Sequence, residues 1–462
     1  LILLLKTNLY KHQLQAVEKL ESLKVSALFM EMGTGKTRTV LELIARKQAK
    51  ISNVVWFCPV SIKYAIAEEI AIHVYHQKLL HIFNDKTLPE NIPHARIHIV
   101  GLESVSGSVK TIFCLHKIIR SDSYIVIDES FYIKNPSAKR TIWITELTKN
   151  CLYKSVLTGT PIAHSVIDLY AQIKFLSSKI FGYRSYYEFS KNHIRFIEEK
   201  WGYSQHACNT EYLAAKLEPY VYQVTKDKCL DLPDKIYQPH YFEMSYEQRE
   251  AYNRSKDDFL FNITDIDNFQ GTNILQLFTT LQQIVCGFNN AENEYYENNR
   301  LKALQDVLNY IPAKKKIIIF CKYLEDIENI QTIIANRQET FSPFHGGMSE
   351  IEKRDSLKAF RENNKYFLTT FGSGGHGLTL NEAEYTIFYN NNFKYTDRIQ
   401  AEDRNYRIGQ MRPPNYIDII CRDSIDEKIE RSFQLKDNAV DVFKKQIQTA
   451  NTESKRKILD EL

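Results

Sequence analysis

The sequence predicts an α/β protein with two parallel-sheet lobes, helical insertions between them and a helical C-terminal tail. Three observations carry that expectation. Short apolar runs alternate with helical patterns in two separate series. Polar residues punctuate the C-terminal ends of those runs, where open α/β sheets place their ligands. A chain of 462 residues is long enough for two core-forming domains plus insertions.

The first series of predicted strands is Ala27–Met30, Val54–Cys58, Ile97–Val100, Tyr124–Ile127 and Ser155–Thr158. From about residue 162 to 300 the pattern turns helical and less regular. Pro233 and Pro239 interrupt helix there, which places a crossover between the lobes around 226–238. Ser245–Tyr252 reads as a capped helix start. The second series is Lys316–Phe320, Lys365–Thr369, Tyr385–Tyr389 and Tyr416–Ile420, and a charged amphipathic tail follows Ser424. The expected bounds are lobe 1 with a helical protrusion over 1–228, interlobe linker and lobe 2 protrusion over 229–300, lobe 2 over 301–425 and tail over 426–462.

An apolar fraction of 44% with 25% charged residues is ordinary for a globular protein. The net charge of +4 is small for this length, so any nucleic-acid surface must be local. Eight cysteines are scattered without a C-x-x-C pair, which argues against a zinc site or a redox motif. The opening Leu1-Ile2-Leu3-Leu4-Leu5 is too short for a membrane span. No membrane partner is expected, and the location is expected to be intracellular: cytoplasmic in a bacterial or phage-infected cell, nuclear only in a eukaryote.

Met32-Gly33-Thr34-Gly35-Lys36-Thr37 follows an apolar run and precedes the helical Val40–Ile44. Gly33 and Gly35 allow backbone amides, Thr34 among them, to approach phosphates at a helix N-terminus. Lys36 would reach the β- and γ-phosphates of a nucleotide, and the Thr37 hydroxyl would bind Mg²⁺. Position 30 is Met, so the full G-x-x-x-x-G-K-T spacing is absent. Asp128-Glu129 ends a strand, where Asp128 would hold Mg²⁺ through water and Glu129 would polarise an attacking water. Ser155–Pro161 combines strand, glycine turn and helix-starting proline, with hydroxyls placed to sense a γ-phosphate.

In the second half, Gly372–Leu378 is a glycine-rich turn after a strand, open to a DNA phosphate or to the facing lobe. His345-Gly346-Gly347 follows a short apolar run. In Gln400–Gln410, Arg404 and Arg407 stand one helical turn apart, which would set both on one helix face aimed at a nucleotide.

Together these residues resemble the Snf2 (Swi2/Snf2-like) family of superfamily 2 helicase-related DNA-dependent ATPases. The resemblance spans nearly the whole chain and fits a minimal motor core of bacterial or phage type. Leu9–Gln13 is similar to the adenine-reading Q motif, Met32–Thr37 to motif I, Trp56–Ser61 to motif Ia, Gly101–Ser104 to Ib, and Asp128–Ser130 with Ile133-Lys134-Asn135 to motif II. Leu157–Pro161 resembles motif III, Leu232-Pro233-Asp234-Lys235 the interlobe Leu-Pro-x-Lys, Ile317–Tyr323 motif IV, Gly374–Leu378 motif V and Gln400–Gln410 motif VI.

The resemblance implies two RecA-like lobes that hydrolyse ATP with Mg²⁺ and move on double-stranded or branched DNA. It makes Lys36, Asp128, Glu129, Arg404 and Arg407 catalytic, and adds Gln13 and Gly377 to the nucleotide contacts. It places Ser61, Lys63, Ser104, His345, Gly346, Ser373 and Gly374 along the DNA. A separate protein that targets so bare a core is compatible with it. Phe131 stands where the family normally has His, and Gln282 where Leu-Arg-Gln is common. Two alternatives keep the same motifs: a fork- or junction-specific helicase with a wedge hairpin in 79–99 or 190–210, and a DNA-binding scaffold with weak ATPase.

Overall fold

The computed structural model describes residues 2–162, 165–199, 202–262, 271–374, 378–439 and 442. The chain divides into two units, Leu1–Asp231 and Leu232–Leu462, each built on its own parallel sheet.

The first sheet contains β1 (Val25–Met30), β2 (Val54–Cys58), β3 (Leu80–Ile82), β4 (Ile97–Gly101), β5 (Tyr124–Asp128) and β6 (Tyr153–Leu157). Two strands outside it, β7 (Ile194–Glu199) and β8 (Gly202–Ala207), form an antiparallel hairpin, and β9 (Val221–Val224) returns to the sheet. The order is β3-β4-β2-β5-β6-β1-β9, and every neighbouring pair is parallel. Alternation along the strands sends side chains to opposite faces. Leu28, Met30, Val54, Trp56 and Val126 join one buried cluster under the helices Lys11–Leu20, Lys36–Arg46 and Lys63–His73. Ala27, Phe29, Val55, Phe57, Ile125 and Ile127 join the other, with Ile173 and Phe175 of the helix Asp168–Leu176.

The second sheet starts with β10 (Ile236–Phe242), which lies inside the 229–300 segment assigned above to linker and protrusion. A short antiparallel pair, β11 (Phe288–Asn289) and β12 (Glu294–Tyr295), closes the protrusion. The sheet then takes β13 (Ile317–Cys321), β14 (Phe341–Phe344), β15 (Tyr366–Thr370), β16 (Tyr385–Phe388) and β17 (Asn415–Cys421), in the order β10-β17-β16-β13-β15-β14, again parallel throughout. Pro239 sits in edge strand β10, where a missing N–H is tolerated.

Ser245 caps the helix Tyr246–Asn262 reciprocally with Gln248, at 3.2 Å from the Gln248 amide and 3.0 Å back to the Gln248 side chain. The beginning of the expected tail is core: Ile425 and Ile429 of the helix Ile425–Gln434 pack with Tyr252, Leu277, Phe278 and Leu281 of the protrusion. Arg300, wholly buried, pairs with Asp426 and donates to the Ile419 carbonyl at 2.9 Å. Residues 443–462 of the tail lie outside the described residues. Among the described residues, no helix is long and apolar enough to cross a membrane.

Candidate active site

Because the first sheet is parallel, the C-terminal ends of its strands meet on one edge. The glycine loop follows β1, the acidic pair ends β5, and Gly159 follows β6, which lies between them. Gly33 and Gly35 have φ of 78° and 84°, left-handed values that favour glycine, and Gly35 caps the helix beginning at Lys36. Thr34 closes the loop, its hydroxyl donating to the Glu31 carbonyl at 2.7 Å. The Lys36 ammonium donates to the Met30 carbonyl at 3.1 Å, across the mouth of the loop. Thr37, one residue into the helix, is buried.

Gln13 is buried beneath this loop. Its amide donates to the Thr34 carbonyl at 3.2 Å, and its carbonyl accepts from the Tyr10 amide at 2.9 Å. His12, unremarked in the sequence, donates to the same Thr34 carbonyl at 2.8 Å. Both side chains therefore brace the loop from below.

Asp128 is 4% exposed, and its Oδ1 accepts from the Glu129 amide at 3.0 Å. Burial holds the Asp128 carboxyl above the ordinary carboxylate range and the Glu129 charge adds to this, while Lys36 pulls the other way. Glu129 adopts φ 49°, a left-handed conformation unusual for a non-glycine residue, which turns the chain sharply after β5. A buried Asp128 followed by a half-buried Glu129, beside a lysine and a glycine loop, fits a divalent cation with a phosphate chain.

The motifs touch one another. A Cβ added at Gly159 would stand 3.2 Å from the Met32 amide nitrogen, so glycine permits the turn after β6 to lie against the phosphate loop. Ser130 donates to Gln172 Oε1 at 2.6 Å, and Gln172 Nε2 donates to the Pro161 and Asp168 carbonyls at 2.9 and 2.8 Å. Gln172 thus ties the residue after the acidic pair to the end of the Ser155–Pro161 turn. Sequence reading missed it. Its one signal is a glutamine among the buried residues of an otherwise apolar helix stretch. Replacing Gln172 by Leu should leave the Ser130 hydroxyl and the Pro161 carbonyl unpaired, at about 1–3 kcal/mol of stability. ATP turnover should fall about tenfold with it, measured by denaturant unfolding and a steady-state assay. Phe131 packs under Lys134, whose ammonium is 4.1 Å from the ring centroid and 3.4 Å from Asp168.

The residues expected along DNA fare unequally. Ser61 is exposed and Ser104 half-buried, and their loops are joined by the Val60 amide donating to Glu103 at 2.9 Å. Lys63 corrects the expectation. It is buried, its ammonium donates to the Phe83 carbonyl at 2.8 Å, and it is not presented to a partner. In the second unit, His345 is half-buried at the end of β14, and a Cβ at exposed Gly346 would lie 3.9 Å from the Ser373 hydroxyl. Ser373 and Gly374 belong to the short helix Phe371–Gly374, and Gly377 lies outside the described residues.

The arginine pair also departs from expectation. The helix Tyr395–Glu402 ends before Arg404, and residues 403–407 follow it as turns and bends, so the two arginines do not share a helix face. Buried Asn405 draws the chain inward, donating to Thr386 Oγ1 at 3.1 Å and accepting from the Tyr416 hydroxyl at 3.0 Å. Arg404 is 0% exposed and donates to the carbonyls of Gln400 at 2.8 Å and Leu378 at 3.2 Å. Arg407 is half-buried, held by the Asp403 carbonyl at 3.1 Å and the Thr379 hydroxyl.

Residues 12–289 match the SNF2-related domain, and residues 299–409 match the helicase conserved C-terminal domain. An uncharacterized ATP-dependent helicase of Mycoplasma genitalium is 29% identical over 313 residues, covering 66% of this chain and 29% of that protein. The Caenorhabditis elegans homolog of SWI/SNF-related matrix-associated actin-dependent regulator of chromatin subfamily A-like protein 1 is 24% identical over 408 residues, 82% of this chain and 54% of the relative. The chain therefore spans less than a third of the first relative's length and about half of the second's. The Sulfolobus solfataricus SWI2/SNF2 ATPase core in complex with dsDNA is 24% identical, with a TM-score of 0.44, 98% of this chain covered and 97% of that one. With its matched domain extending over more than half of the sequence, the chain belongs to the SNF2-related family.

Proposed function

We propose that the chain is an ATP-driven DNA motor that hydrolyses ATP and translocates on double-stranded DNA, remodelling DNA or protein–DNA complexes. The observation that carries this reading is the convergence of the phosphate loop, the acidic pair and Gly159 on one edge of the first sheet. Loop amides and Lys36 bind the phosphate chain, and Asp128 and Thr37 would hold Mg²⁺, which when bound neutralises charge on the β- and γ-phosphates. Glu129 orients the attacking water. Arg407 of the second unit answers the charge that develops on the γ-phosphate, and Arg404 holds the turn on which Arg407 stands.

The DNA contacts of this reading are Ser61, Ser104, His345, Gly346, Ser373 and Gly374. Hydroxyls and glycine amides suit backbone phosphates, and contacts of that kind carry no sequence information. The family membership and the relatives named as ATP-dependent helicases support nucleic acid as the track.

One feature favours a fork- or junction-specific variant of the same motor. The β7–β8 hairpin pairs six residues on each side, from Ile194↔Ala207 to Glu199↔Gly202, within one of the two stretches that the fork- or junction-specific alternative assigns to a wedge. Steady-state ATPase assays with no DNA, single strands, plain duplex and a fork decide between them. Plain duplex should stimulate turnover, and the stimulation should weaken with salt as phosphate contacts require. Stimulation by forks alone would replace duplex translocation with the junction reading. A flat response insensitive to Glu129→Gln would leave a DNA-binding scaffold.

A further inference from the structure

We propose that Lys235, just past the division between the two units, is a positioning residue that grips the arginine turn and couples the interlobe segment to ATP hydrolysis. The inference rests on the role of Arg407 given under Proposed function.

The grip centres on Glu402, the last residue of the helix Tyr395–Glu402, which is 2% exposed. Its carboxylate accepts from Lys235 Nζ at 2.7 Å, from the Tyr237 hydroxyl at 2.8 Å and from Arg398 Nε at 2.8 Å. Lys235 and Tyr237 are alternate residues where β10 begins, so both reach the same side of the sheet. The Lys235 ammonium also lies 4.6 Å from the centroid of the Tyr406 ring. Tyr406 immediately precedes Arg407, so one cation of the interlobe segment touches both ends of the turn.

The other contacts of this network come from the sheet itself. Arg398 is anchored on Asp418, with Nη2 2.9 Å from Oδ2, and the Tyr416 hydroxyl shares its proton between the Asn405 side chain and the Glu402 carbonyl, at 3.0 and 3.1 Å. A cavity of about 360 Å³ lies beside Glu402, lined among others by Tyr237, Tyr395, Arg398, Glu430 and Phe433. With open space on that side, the carboxylate and its donors hold this end of the helix. A change in the path of the segment entering β10 moves Lys235, and the turn carrying Arg407 moves with it.

The test uses the full chain with Lys235→Met, which keeps the apolar stem and removes the charge, and Lys235→Arg, which restores a cation. The DNA-stimulated kcat of K235M should fall about tenfold. KM for ATP should stay within about twofold, and K235R should recover most of the loss. Combining K235M with Glu402→Gln should add little further, as for two halves of one contact. Hydrogen exchange without nucleotide should rise in K235M at the amides of residues 403–408 and remain as in the parent at the phosphate loop. Unchanged exchange at 403–408 would overturn the proposal, whatever the ATPase does. A fall in melting temperature with undiminished kcat would also overturn it, leaving Lys235 a plain stabilising cation. A parent chain without ATPase activity would overturn the motor reading instead, and the exchange result would still decide whether Lys235 holds the turn.

Discussion

Replacing Arg407 by alanine should lower ATP turnover by about a thousandfold or more, the range in which arginine fingers act. Folding stability should hardly change. The side chain is half-buried and sits on a turn beyond the helix end, with the Asp403 carbonyl and the Thr379 hydroxyl aligning its guanidinium. Arg404→Ala should behave in the opposite way. Its guanidinium is fully buried against the Gln400 and Leu378 carbonyls, and removing it should cost about 1–3 kcal/mol for each acceptor left unpaired. Steady-state kinetics and thermal unfolding of both variants separate the roles. An R407A enzyme with parental turnover would remove Arg407 from the chemistry.

The second large effect is expected at Glu129. Glu129→Gln keeps the size and the left-handed backbone turn but removes the basic carboxylate. Turnover should fall by about 10²–10⁴, the usual contribution of a positioned base. Nucleotide binding should hold or tighten, for a specific reason. Burial is the main cause that holds the Asp128 carboxyl up, and the Glu129 charge adds to it, so neutralising residue 129 removes only the second contribution and leaves no added repulsion of the ionised Asp128. Binding of a fluorescent ATP analogue, measured alongside turnover, checks both halves. Loss of binding in step with turnover would mean that Glu129 builds the pocket rather than the reaction.

What the sequence reveals follows burial. Strands such as Val54–Cys58 and Ile317–Cys321 are buried at every position, so they read as unbroken apolar runs. The edge strands β3, β9 and β10 are only partly covered and lack such runs, which is why the segment entering the second unit read as linker. The nucleotide motifs were legible because their residue types are dictated by local geometry, as at Gly33 and Gly35. Gln172 and the Lys235–Glu402 pair were not, because their partners lie 42 and 167 residues away along the chain. The helical spacing of Arg404 and Arg407 misled for a related reason: the helix stops at Glu402, and only the packing of Asn405 shows that the chain has turned.

The second sheet also has a consequence for how the chain is made. Its first strand in sequence, β10, pairs with its last, β17, over Ile236↔Asn415 to Phe242↔Cys421, and among the described residues no other strand flanks β10. During synthesis β10 leaves the ribosome long before its neighbour exists. Loop-closure entropy places a pairing of such separation late in folding. The newborn second unit therefore waits with an open strand at one end and an unfinished sheet at the other, and its final folding step is also the one that seats Lys235 beside the arginine turn.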